Sequence, residues 1–110
     1  MSEDNSLVRL AALIHSRRSD TSGKSYTSQL LTAGTERCAK KFGEEAVELV
    51  IAAMGPADQA VKAEAADVLY HLLVLLESRQ IPLDDILKVL EGRMGTSGLE
   101  EKASRTTGAS

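Results

Sequence analysis

From Val68 to Leu76 the chain is apolar at every position but Tyr70 and His71. Wound as a helix at about 100° per residue, such a run has no polar face. A helix that is apolar all round is buried all round. A chain of 110 residues has little material to cover it, so a partner subunit is expected. Two acids, Glu64 and Asp67, open this same helix and share with His71 an arc of about 60°. Carboxylates beside so apolar a segment are costly to bury without a compensating ion.

An earlier stretch answers them: Lys40-Lys41-Phe42-Gly43-Glu44-Glu45-Ala46-Val47-Glu48. Glu45 and Glu48 are three residues apart and face the same way on a helix, with Lys41 beside them. Packed antiparallel, the two helices bring four carboxylates together, and these repel unless protons or cations intervene. Oxygen-only ligands suit a hard cation, Mg²⁺ or alternatively Mn²⁺. Glu45, Glu48, Glu64 and Asp67 are therefore candidate metal ligands. Paired acids also occur on solvated helix faces; it is the apolar setting of Glu64 and Asp67 that favours the metal. Glu44 either joins the cluster or pairs with Lys40 or Lys41. Both lysines, one turn before the acids, suit substrate phosphates. His71 is a hydrogen-bonded core residue or a site residue; His15 reads as structural or surface.

The remaining sequence sets the frame. Apolar residues make up 43% of the chain, enough for a core, and the 3% of aromatics makes that core aliphatic. Only two prolines and an Ala/Leu/Glu-rich middle favour an all-α fold of about four to five helices, completed by dimerisation. A net charge of -3 argues against general nucleic-acid binding. The lone Cys38 excludes an internal disulfide, suits a reducing cytoplasm, and reads as a small buried side chain. No apolar leader follows basic residues, and Leu72 to Leu76 is too short to span a bilayer, so no membrane association is expected.

Taken in order, a first helix is expected from Asn5 or Ser6 to Arg18, with Ser6 as its cap. Residues 19–25 form a Ser/Gly-rich loop. Its Gly23-Lys24-Ser25 is like the end of a phosphate-binding loop, but the upstream glycine and strand are missing. A short helix over Ser25 to Ala33 stops at Gly34. Thr35 caps the next, which runs to about Met54 with Phe42, Ala46, Leu49, Val50 and Ala53 facing the core. Gly43 costs that helix about 1 kcal/mol relative to Ala, which a close helix contact or room for a ligand would explain. Gly55-Pro56 breaks the chain, and the apolar helix continues to about Arg79. After the Pro82 turn, Asp84 and Asp85 start a last helix with Ile86, Leu87, Val89 and Leu90 inward. Residues 1–95 read as one helical domain and 96–110 as a polar tail.

Three segments together carry a resemblance. They are Ser25-Tyr26-Thr27-x-x-Leu30-Leu31-x-x-Gly34, then Lys40-Lys41-x-Gly43-Glu44-Glu45-Ala46-x-Glu48, then Glu64-x-Ala66-Asp67-x-x-Tyr70-His71. The acid pairs are similar to the signature of the MazG-like superfamily of all-α nucleoside triphosphate pyrophosphohydrolases. The three segments in this order resemble its phosphoribosyl-ATP pyrophosphohydrolase family, from the first helix to about Arg105. Phe42 departs mildly, standing where a smaller aliphatic residue is more usual. The resemblance implies a Mg²⁺-dependent homodimer that hydrolyses phosphoribosyl-ATP to phosphoribosyl-AMP and pyrophosphate in histidine biosynthesis. With one Cys and two His, the chain lacks ligands for the cyclohydrolase of the next step, so a stand-alone enzyme is expected.

On that footing, metal held by Glu45, Glu48, Glu64 and Asp67 polarises the triphosphate and activates a water for in-line attack at the α-phosphorus. Glu44 or a ligand such as Glu45 accepts the proton; the sequence leaves the choice open. Arg37, Lys40 and Lys41 are candidates for the phosphates, Tyr26 and Thr27 for the ribosyl or adenine end, and His71 is a further substrate-side candidate. Two other classes compete: a house-cleaning hydrolase of ordinary or damaged nucleotides, and a non-catalytic helical dimerisation module. A ferritin-like di-iron bundle fits less well, because it pairs Glu with His three residues on, and neither acid pair here ends in His.

Overall fold

The computed structural model describes residues 5–95, and every regular element among them is helical. Helix α1 spans Ser6–Ser16 and tightens into a 3-10 turn, Arg17–Ser19. Helix α2 spans Tyr26–Ala33, α3 Thr35–Ala53, α4 Asp58–Ser78 and α5 Leu83–Met94. The expected tail, 96–110, lies outside the described residues. No helix among the described residues is long and apolar enough to cross a membrane.

The helix ends follow from side chains that reach back to the backbone. Asn5, not Ser6, caps α1: its Oδ1 accepts from the Leu7 N–H at 2.8 Å and the Val8 N–H at 3.4 Å. Ser6 is already the first helical residue. The helix expected to reach Arg18 stops at Ser16, because the chain tightens into the 3-10 turn. Ser25 caps α2 by accepting from the Ser28 N–H at 3.1 Å. A single residue, Gly34, joins α2 to α3 at φ 104°, a backbone conformation that favours glycine. Thr35 is therefore inside α3 rather than capping it, and its hydroxyl turns to Ser78 Oγ at 3.0 Å. Helix α4 closes with Gln80 at φ 59° and the Ile81 N–H bonded to the Leu76 carbonyl at 3.0 Å. With the Gln80 N–H on the Glu77 carbonyl at 2.9 Å, this is a Schellman closure carried by a non-glycine residue.

The long helices α3 and α4 form an antiparallel hairpin about the short turn 54–57, and theirs is the main packing of the fold. Helices α1 and α2 cover only its far half. There Ile14, Leu30, Cys38, Leu73 and Val74 make the buried core, flanked by Leu7, Leu10, Ala11, Leu31, Tyr70, Leu75 and Leu83. Cys38 is buried, with its thiol against the Leu30 carbonyl at 3.3 Å. Burial pushes that thiol up, away from reactivity. His15 of α1 and Arg18 of the 3-10 turn clamp Glu77 of α4, at 3.0 and 2.7 Å. Burial pulls the Glu77 carboxyl up, but these hydrogen bonds outweigh it and hold it below the usual range.

The half of the hairpin near the turn is bare. Val50 and Ala53, expected in the core stripe, are exposed, and so are Val47, Ile51 and Met54. Leu87, Val89 and Leu90 of α5, expected inward, are also exposed, because α5 makes no extensive contact with another helix of the chain. Even the apolar segment of α4 leaves Leu69 at 42% exposure. A single copy thus covers only part of the face that its pattern marks for burial. Around Gly43 there is open space where a Cβ would stand, so within one copy no close helix contact explains that glycine.

Candidate active site and metal centre

The acids meet where the covered half of the hairpin gives way to the bare half. Glu45 and Glu48 lie in the second half of α3, Glu64 and Asp67 in the first half of α4, so antiparallel pairing sets them opposite one another. Carboxylate oxygens of Glu45, Glu48 and Glu64 all fall within 4.8 Å of one another. Asp67 stands just outside that trio, and its charge acts on Glu64. Glu48 and Asp67 face solvent, while Glu45 and Glu64 are half-buried.

Glu64 carries the tension of the cluster. Its Oε1 is buried and has no hydrogen-bond partner among the described residues. Burial first, and then the charges of Glu48, Asp67 and Glu45, push its carboxyl above the usual range. A buried acceptor without a donor is costly in a folded protein. Three converging carboxylates with such an oxygen among them fit a hard divalent cation, and nothing softer than oxygen is present in the set.

Lys41 borders the cluster on α3. Its Nζ lies 3.3 Å from Glu44 Oε1 and 3.8 Å from Glu45 Oε2. The Glu44 bond, then the Tyr26 hydroxyl, burial acting the other way, and the charges of Glu44 and Glu45 together leave its ammonium above the usual lysine value. Glu44 thus takes the ion-paired place, on the solvent side and outside the trio, with 47% of its side chain exposed against 13% for Glu45. Arg37 lies one turn before Lys41 on the same face; Lys40 is turned about 100° away, and both are exposed.

On the other side of the cluster the aromatic residues gather. His71 is buried, and its Nδ1–H donates to the Asp67 carbonyl at 2.9 Å, which leaves Nε2 buried and without a partner among the described residues. The rings of Tyr70 and Tyr26 stand edge-on to the imidazole, with centroids 4.9 and 6.2 Å away. Thr27 spends its hydroxyl on a short hydrogen bond with the Tyr70 hydroxyl, so it braces α2 on α4. Burial raises the Tyr70 phenol, only partly offset by that bond. The sequence reading assigned Tyr70 no part in the site. The signal was there in an aromatic next to His71 in an otherwise aliphatic helix. Tyr26 is half exposed at the junction, with its ring near His71 and its hydroxyl near Lys41.

The structure thus brings Glu45, Glu48 and Glu64 together, with Asp67, Glu44 and Lys41 at their edge and Tyr26, Thr27 and His71 on one flank. Arg37 stands a turn away, and Lys40 turns aside. Over most of its length the chain is similar to known proteins. The family model described as phosphoribosyl-ATP pyrophosphohydrolase matches residues 7–94. A protein of Jannaschia sp. named phosphoribosyl-ATP pyrophosphatase is 52% identical over 99 residues, covering 90% of this chain and 97% of its own. Proteins of the same name from Cereibacter sphaeroides and Agrobacterium fabrum are each 50% identical, over 90% and 93% of this chain and 96% and 95% of theirs. With a match running through all five helices and relatives of nearly equal length, the chain belongs to the phosphoribosyl-ATP pyrophosphohydrolase family.

Proposed function

We infer that this chain hydrolyses phosphoribosyl-ATP to phosphoribosyl-AMP and pyrophosphate, the second step of histidine biosynthesis, as a cytoplasmic homodimer using Mg²⁺. The observation that carries the chemistry is the trio of carboxylates within 4.8 Å, one of whose oxygens is buried and unpartnered. Membership of the family carries the substrate. Glu45, Glu48 and Glu64 would hold the metal, with Asp67 completing the set; Mn²⁺ suits the same oxygens. Bound there, the ion supplies charge neutralisation for the triphosphate and a more acidic water.

The chain's own residues do the rest. Lys41, anchored between Glu44 and Glu45, presents its ammonium to the phosphates, with Arg37 a turn behind and Lys40 at the margin. Water attacks the α-phosphorus, the bond from that phosphorus to the bridging oxygen breaks, and pyrophosphate leaves. Glu44 accepts the water's proton, since it lies beside the cluster but outside the trio that binds the ion; Glu45 is the second candidate. Tyr26 and His71 hold the adenine side, and Thr27 steadies that flank through Tyr70. The exposed apolar residues of α3 and α5 are the surface that a second copy would cover.

Pyrophosphate release from phosphoribosyl-ATP, ATP and deoxynucleoside triphosphates, each with Mg²⁺ and with chelator, tests the reading. Metal-dependent release from phosphoribosyl-ATP far above the others is expected. Equal turnover of the ordinary nucleotides would make the protein a house-cleaning hydrolase, and no metal-dependent release would leave a dimerisation module.

A further inference from the structure

Beside the acid cluster, on the far side of Tyr26, the structure holds a cleft of about 410 Å³ whose basic residues the reaction as described does not use. Tyr70 and Tyr26 line it, and Arg17 and Lys24 enter it from the 3-10 turn and the loop before α2, with Ser22 and Ser25 between them. The loop is built rather than loose. Ser28 Oγ donates to the Asp20 carbonyl at 2.7 Å, Gln29 Nε2 to the Gly23 carbonyl at 3.1 Å, and the Lys24 N–H to Ser22 Oγ at 3.1 Å. Gly23, at φ 80°, makes the turn just before Lys24. Asp20 also lines the cleft. Its carboxylate accepts from the Ser22 N–H at 2.8 Å and lies 3.9 Å from Arg17, so it is partly satisfied and the cleft keeps an excess of positive charge.

We propose that this cleft receives the phosphate of the phosphoribosyl group, at the end of the substrate remote from the triphosphate, and so selects phosphoribosyl-ATP over ATP. The inference rests on the reading of the metal cluster given above. Phosphoribosyl-ATP is anionic at both ends, and a site for the triphosphate alone would take ATP equally well. Along α4, Tyr70 lies about 9 Å beyond Glu64 at 1.5 Å per residue. A base and two riboses separate the α-phosphate from the far phosphate, enough to bridge that distance. Tyr26 joins the two sites, its hydroxyl by Lys41 and its ring on the wall of the cleft. Arg17 and Lys24 offer charge-assisted donors to a phosphate, and the Ser25 hydroxyl, which already accepts from the Ser28 N–H, retains its own proton to donate. The Gly23-Lys24-Ser25 sequence thus meets a phosphate without being a P-loop.

The test compares phosphoribosyl-AMP and AMP as inhibitors of pyrophosphate release, since both lack the pyrophosphate and only the first carries the far phosphate. In the wild-type protein phosphoribosyl-AMP should inhibit at least about tenfold more strongly than AMP. Lys24→Ala and Arg17→Ala should each raise KM for phosphoribosyl-ATP and weaken inhibition by phosphoribosyl-AMP about tenfold. Inhibition by AMP and kcat should stay within about twofold, and Lys24→Arg should restore much of the loss. Circular dichroism checks that the variants fold. Equal inhibition by the two nucleotides in the wild type overturns the proposal, as does a loss in the variants that affects AMP as much. If the wild type released no pyrophosphate from phosphoribosyl-ATP at all, the enzymatic reading itself would fail. Release without discrimination sinks the cleft alone.

Discussion

Glu64→Gln removes a charge that the folded protein holds at a disadvantage. Burial and three acidic neighbours raise the Glu64 carboxyl above its ordinary 4.5. The folded protein therefore binds that proton more tightly than the unfolded chain. The stability this group contributes is complete below about pH 4.5 and is lost as pH rises through the raised folded value. Gln stays neutral throughout, so the metal-free variant should melt above the wild type at pH 8, with the gap closing toward pH 4.5. With Mg²⁺ the order should change. Free metal at a hundred times its dissociation constant stabilises a fold by about 2.7 kcal/mol. For a domain of this size that is a rise of roughly 10–20 °C at pH 8. Losing one ligand weakens affinity by at least the 10–100-fold seen for second-shell changes, cutting the rise to less than about half. Differential scanning calorimetry at pH 5 and pH 8, with Mg²⁺ and with chelator, reads all four states. The wild-type shift should be smaller at pH 5, where protons compete for the same oxygens. A metal-free Glu64→Gln protein that melts below the wild type at pH 8, with an undiminished Mg²⁺ shift, would refute the reasoning.

Further outcomes follow from the same geometry. Lys41→Ala should raise KM or lower kcat about tenfold or more while circular dichroism is unchanged, because a partly exposed helical side chain outside the apolar core is removed; unaltered kinetics would take Lys41 out of the site. Glu48→Gln should lower kcat by about two orders of magnitude or more, and full activity would show that Glu48 only lines a solvated face. Sedimentation at micromolar concentration should give twice the 11.8 kDa of one chain, and Leu90→Glu should shift it toward one copy; a wild type sedimenting as a single chain would refute the dimer.

Much of this fold was open to reading from residue order because its signals are local. Gly34 and Gly55-Pro56 punctuate, and the helical spacing of Leu7, Leu10, Ala11 and Ile14 placed α1. The caps were missed by one residue, since Asn5 and Ser6 are both good caps and only the backbone decides which oxygen reaches Leu7. Val50 and Leu87 show a deeper limit. Their spacing says that they are to be buried, not by what, and one copy leaves them bare. For the acids, spacing gave the shared faces, and the antiparallel hairpin supplied the convergence of Glu45, Glu48 and Glu64. Spacing also offered Glu44 as an ion-pair partner of Lys41, three residues on; what it could not give is the gap between Asp67 and the trio, or the meeting of Arg17 and Lys24 with Tyr70. The first is set by how α3 and α4 pair, and the second by how α1 and the loop before α2 dock, across long separations in the chain.

The hairpin of α3 and α4 also bears on the order in which the molecule folds. All four acids lie between Glu45 and Asp67, on two helices joined by the turn 54–57. Closing so short a loop costs little chain entropy, and contacts near in sequence form fast. The carboxylates therefore converge early, while α1 and α2 are still undocked and water still screens the charges. Desolvation comes later, as the fold closes and leaves Glu64 half-buried. Repulsion then slows the final docking, and a bound cation relieves it. Mg²⁺ should accordingly speed that late phase in stopped-flow refolding and leave the earlier helix signal untouched. The acids proposed to hold the metal would then also set the pace at which the protein completes itself.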